Sequence, residues 1–135
     1  MEESDRPDLG AMVMRLGRRL LAMEQPILAR HDVSMWAYVV LSALRDGPAR
    51  AQANLAAAIG ADKTRLIPVL DDLQRRGLIE RGPDPADRRV RLLGLTDEGR
   101  RLQRAVQAEI RAEERKLLGG IEEREAFVRA LRALS

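Results

Sequence analysis

The chain has 135 residues, with 24 Lys or Arg against 21 Asp or Glu and a formal net charge of +3. It lacks cysteine, which excludes disulfide frameworks and thiolate zinc sites, and its single histidine, His31, argues against a His-based metal site. The longest apolar run, Met35 to Leu41, falls well short of the roughly 20 residues that cross a bilayer, and Met1-Glu2-Glu3 lacks the basic start of a secretory signal. A single domain in the cytoplasm is expected. Lys63 and Lys116 are the only lysines, so arginine carries almost all the positive charge.

In chain order, Leu9, Val13, Leu16, Leu20, Met23 and Ile27 are spaced by three and four residues, a helical stripe. Pro26 is expected to kink or shorten that helix. Ser34 is a candidate N-cap for a second helix, Met35 to Arg45, apolar almost all round and expected at the centre of the domain, with Gly47-Pro48 as its stop. Gln52 to Ile59 reads as a short helix ended by Gly60. Asp62 caps the next, Lys63 to Arg76, with Leu66, Val69, Leu70 and Leu73 on one face and Gly77 at its end. These two short helices around Gly60-Ala61 form a helix-turn-helix candidate.

Leu78 to Arg81 and Val90 to Leu95 read as strands joined by a polar loop, Gly82 to Arg89, that holds two prolines. Thr96 caps a long helix running to about Leu118, with Leu102, Val106, Ile110 and Leu117 on one side. Gly119-Gly120 breaks it, and a last helix, Ile121 to Leu134, is expected to turn Phe127, Leu131 and Leu134 inward. A hairpin placed directly after a helix-turn-helix is a winged helix. The fold class is therefore mainly α with a small β-hairpin: a winged helix-turn-helix region at 34–99, flanked by helical segments at 1–33 and 100–135. The apolar stripes of the outer helices lack an obvious partner in so small a domain, which points to the same helices of a second chain.

Two places could carry chemistry. With the leucines of Lys63 to Arg76 inward, Thr64, Pro68, Asp71 and Arg75 point outward, flanked by Lys63 and Arg65. Donors thus gather at a positive helix end, suited to phosphate oxygens and base edges. Pro68 leaves two readings open, a helix that starts late or a slight kink. The hairpin tip carries Asp87, Arg88 and Arg89, and an arginine on a thin finger suits the DNA minor groove, with Asp87 able to hold a guanidinium in one direction. Between Ala61 and Arg91 eight basic residues face six acidic ones, a modest local excess.

From Leu66 to Gly99 the residues resemble the MarR family of transcriptional regulators. The resemblance lies in Leu73-Gln74-Arg75-Arg76-Gly77-Leu78-Ile79-Glu80-Arg81, Asp84-Pro85-Ala86-Asp87-Arg88-Arg89 and Leu95-Thr96-Asp97-Glu98-Gly99. Gln52 with Leu55-Ala56, and Ser34 to Leu44 with Tyr38, extend it upstream, and the terminal helices match by layout. The resemblance implies a homodimer held by those helices that binds a pseudo-palindromic operator in double-stranded DNA, usually as a repressor. A small aromatic or phenolic effector often releases the DNA. By position it implies DNA-binding residues at Gln52, Lys63, Thr64, Arg65, Pro68, Arg75, Asp87, Arg88 and Arg89. Ile67 and Pro68 depart from the Thr and Arg that many relatives carry there. Met14, Arg18, His31, Trp36 and Tyr38, the sparse large or polar groups near the first two helices, are the expected ligand pocket.

An enzyme is not expected. No Gly-rich phosphate loop, His-Glu-x-x-His pattern or nucleophile elbow is present, so catalytic residues, metal and cofactor are all expected to be absent. The alternative is a helical dimeric interaction module that modulates another regulator without binding DNA. The Asp-Arg-Arg hairpin tip argues against it.

Overall fold

Local capping chemistry sets where the helices begin in the computed structural model, which describes residues 2–46 and 50–135. After a 3-10 turn at Glu3–Asp5 come α1 (Leu9–Arg30), α2 (Met35–Arg45), β1 (Arg50–Ala51), α3 (Gln52–Ile59) and α4 (Lys63–Arg75). Strands β2 (Ile79–Pro83) and β3 (Arg91–Leu95) follow, then α5 (Asp97–Leu118) and α6 (Arg124–Leu134). The three expected caps are formed. Ser34 accepts from the Ala37 N–H at 3.1 Å, Asp62 from the Thr64 N–H at 3.1 Å and Thr96 from the Gly99 N–H at 3.0 Å. The expected stop of α2 at Gly47-Pro48 lies outside the described residues.

The winged helix-turn-helix architecture is present, with corrections in detail. Pro26 does not shorten α1, which continues to Arg30, and Pro68 does not delay α4, which begins at Lys63. Each proline leaves one carbonyl, of Ala22 or Thr64, without its helical donor. Both carbonyls lie on exposed faces where water can serve them. The last helix starts at Arg124 rather than Ile121. The hairpin is also part of a three-stranded antiparallel sheet in the order β1-β3-β2. In its register Arg50 faces Leu93, and Arg81 faces the same residue from the other side.

The core sits in the middle of the chain. Val40 and Leu41 of α2, Leu55 of α3, Leu70 and Leu73 of α4, Leu93 of β3 and Val106 of α5 are fully buried together. As its nearly uniform apolarity foretold, α2 is the hub, packing on α3, α4, α5 and β3. The outer helices differ. Among the residues of α1, Ile27 and Leu28 at the C-terminal end are buried, while Leu9 and Val13 are exposed; α6 buries nothing. Of Phe127, Leu131 and Leu134, expected to turn inward, the first two face α1 and α5 with Leu131 still 45% exposed, while Leu134 is 88% exposed. Phe127 is half-buried.

Two contacts fix the start of α5 to the turn between α4 and β2. The Thr96 hydroxyl, besides capping α5, donates to the Gly77 carbonyl at 2.7 Å. Gly99 lies so near Leu78, the residue before β2, that a Cβ there would stand 2.0 Å from the Leu78 carbonyl oxygen, so the backbones can approach this closely only with glycine. Arg100 donates to the Arg45 carbonyl at 3.1 Å, serving the open end of α2.

Candidate nucleic-acid interface

The turn between α3 and α4 is made by Gly60, whose φ of +68° suits glycine, and by the Ala61 N–H, which donates back to the Ala56 carbonyl at 3.1 Å. It sets the start of α4 outward, leaving Lys63, Thr64 and Arg65 exposed while Leu66 and Leu70 enter the core. Asp62 already takes up the Thr64, Arg65 and Leu66 N–H groups of that first turn, so an anion in front of it would be met chiefly by the exposed Lys63 and Arg65 side chains.

Across from α4 stands the wing. Its tip is folded on itself. The Asp84 N–H donates to the Val90 carbonyl at 2.9 Å, and the Asp84 carboxylate accepts from the Ala86 N–H at 2.9 Å. The Asp87 carboxylate accepts from both the Arg89 backbone N–H at 3.1 Å and the Arg89 Nε at 3.2 Å. The expected pairing of Asp87 with a neighbouring arginine is thus formed. It fixes the root of a side chain that is still 92% exposed, so the guanidinium keeps free donors toward solvent. Arg88 is exposed beside it.

Between wing and helix lies a groove of about 330 Å³ lined by Ala51, Gln52, Lys63, Leu66, Arg89 and Arg91, among others. It brings together Gln52, Lys63 and Arg89, which the sequence places on three separate elements. Sequence reasoning missed the device that closes one side. The two-residue β1 ends where Gln52 begins α3, so its pairing with β3 draws the start of α3 against the wing. A second unforeseen link joins α4 to β2, where Arg81 donates to Gln74 at 2.7 Å and to Asp71. It neutralises an acid on the outward face of α4. Arg75 is not part of the groove. It lies 12 residues beyond Lys63, about 18 Å along the axis, and pairs with Asp72. Pro68 is exposed between the two ends.

Residues 31–90 match the MarR family profile. The transcriptional regulator HosA of Escherichia coli O111:H- is 32% identical over 105 residues, which span 76% of this chain and 78% of the relative. The chain belongs to the MarR family. The structure of CouR from Rhodococcus jostii RHA1 bound to p-coumaroyl-CoA is 31% identical, with a TM-score of 0.81 over 97% of this chain and 90% of that one. The transcriptional repressor CouR bound to a 23-mer DNA duplex is 27% identical, again with a TM-score of 0.81, over 94% and 92% of the two chains. This MarR-family chain is accordingly a DNA-binding transcriptional regulator of the winged-helix type. No helix among the described residues is long and apolar enough to cross a membrane.

In this MarR-family chain the five residues expected to form a ligand pocket do not come together. Met14 and Arg18 are exposed on α1, while His31 follows the helix 17 residues after Met14, about 25 Å along the axis. Trp36 and Tyr38, two positions apart on α2, diverge by about 200° around it. His31 is instead engaged in structure. Its Nε2 bonds Glu109 of α5, whose other oxygen accepts from Arg30 Nη2 at 2.8 Å. The Arg30 and His31 bonds hold the Glu109 carboxyl below the usual carboxylate range. Burial pushes the Tyr38 phenol up, opposed by a hydrogen bond with Ser42. An apolar groove of about 420 Å³ does occur elsewhere, where Leu16 and Leu20 of α1, Leu117 and Leu118 of α5 and Phe127 and Leu131 of α6 converge.

Proposed function

We propose that this MarR-family regulator acts as a homodimeric repressor on a pseudo-palindromic operator. The groove where Gln52, Lys63 and Arg89 converge carries this reading, because it offers amide, ammonium and guanidinium donors on a concave surface beside a positive helix end. In the dimer the two copies of α4 enter successive major grooves about 34 Å apart, each led by Lys63, Thr64 and Arg65, and the wings lay Arg88 and Arg89 into the flanking minor grooves. The exposed apolar side chains of α1 and α6 support pairing through those helices. Repression is supported by the likeness to a repressor solved on duplex DNA. A small aromatic effector, supported by the likeness to a regulator solved with p-coumaroyl-CoA, would release DNA by selecting a dimer with the wrong helix spacing. Its reach is limited by its difference in affinity for the two states.

The test is a salt titration on a labelled fragment of the protein's own promoter region. Wild type binds tightly and specifically. Arg89→Ala binds more weakly and lowers the slope of log affinity against log salt by about one phosphate equivalent. Unchanged affinity and slope would remove the wing from the interface. Absence of specific binding by wild type would overturn the operator reading.

A further inference from the structure

The large apolar side chains exposed among the described residues cluster on α1, on α6 and at Ile121 just before it, with one exception: Ile67, 45% exposed on α4. It lies one turn after Thr64 and about 60° around the axis from it, beside exposed Pro68. The helix thus changes character within one turn. Lys63, Thr64 and Arg65 offer hydrogen bonds and charge, whereas Ile67 and Pro68 can neither donate nor accept one through their side chains. An isoleucine left in water one turn after Lys63, which with Arg89 lines the adjoining groove, gains most from an apolar feature carried by an anion. In a DNA major groove that feature is the 5-methyl group of thymine.

Resting on the operator reading above, we infer that Ile67 is a specificity-determining residue that packs against a thymine methyl in each half-site. Charge complementarity selects the occupant, since Lys63, one turn before Ile67, and Arg89 across the groove offer charge to phosphates while Ile67 reads the groove floor. Arg81 keeps Asp71, one turn further on, engaged and neutralised, so this stretch of α4 does not repel the strand.

The experiment begins by enriching duplexes from a randomised pool with wild-type protein. Each thymine of the enriched site is then replaced in turn by deoxyuridine, which lacks only the methyl group, and affinity is measured at fixed salt. Wild type loses about threefold to fourfold per half-site at one thymine, the worth of one buried methyl. Ile67→Ala, with its folding checked by circular dichroism, binds the thymine and uracil duplexes equally, and Ile67→Val restores the preference. An enriched site with no methyl-sensitive position, or with a sensitivity unchanged in Ile67→Ala, overturns this inference and leaves the operator reading standing. That result would turn the patch toward a protein partner. Failure to enrich any duplex overturns the operator reading, and this inference with it.

Discussion

The winged region and the outer helices are built to different degrees of completion. Around α2 the apolar side chains of five elements close on one another, and Val40, Leu41, Leu55, Leu70, Leu73, Leu93 and Val106 are removed from water within a single chain. Along α1 and α6 the same kind of residue, leucine and valine at helical spacing, is left outside. The spacing alone is alike in both regions, so periodicity tells that a face wants cover but not whose cover it receives. The contrast separates the part of the molecule whose apolar faces close within one chain from the part whose faces stay open.

Substitutions can break that contrast, beginning with the closed side. Gly99→Ala places a methyl against the Leu78 carbonyl and should cost about 3 kcal/mol or more, read as a large fall in melting temperature. On the open side, Val128→Glu with Leu131→Glu changes residues already exposed in one chain, so the isolated fold should survive. Sedimentation should then report one-chain mass, and operator affinity should drop on the order of a hundredfold as two linked half-site contacts become independent. A double variant that stays dimeric would place the second chain elsewhere.

Acid sharpens the comparison at the seam between the regions. Glu109 titrates lower in the folded chain than in the unfolded one, because Arg30 and His31 favour its carboxylate. Its contribution is therefore present above the unfolded value, about pH 4.3, and lost as pH falls through the folded value. The melting temperatures of wild type and Glu109→Gln should differ at pH 7 and converge near pH 3. The smallest effect belongs to Glu24. Burial and the Glu114 carboxylate raise its folded pKa, so its charge costs stability at neutral pH and the cost is relieved as pH falls. Glu24→Gln should melt slightly higher than wild type at pH 7, with the gain gone in acid.

What could be read in the sequence was local. Ser34, Asp62 and Thr96 cap helices through bonds to residues two or three positions away, so identity and spacing suffice. The Asp87–Arg89 pair is local too. The misses involve distance. β1 has two residues and no period of its own, and exists only through its pairing with β3, some 40 positions later. The pocket residues share chemistry but not a face, since a helix of 22 residues carries Met14 far from His31. Pro26 and Pro68 looked like breaks because the cost of a proline depends on whether its orphaned carbonyl meets water, which burial decides.

One consequence of the folded wing tip concerns entropy. Asp84 and Asp87 bind the backbone of their own loop, so the ordering of the finger is complete when the chain has folded. A finger that is loose in solution loses that freedom at the moment of contact, and its affinity falls accordingly. If the tip contacts the operator as proposed, it does so already preorganised, and the motion left to arrest lies mainly in the arginine side chains themselves.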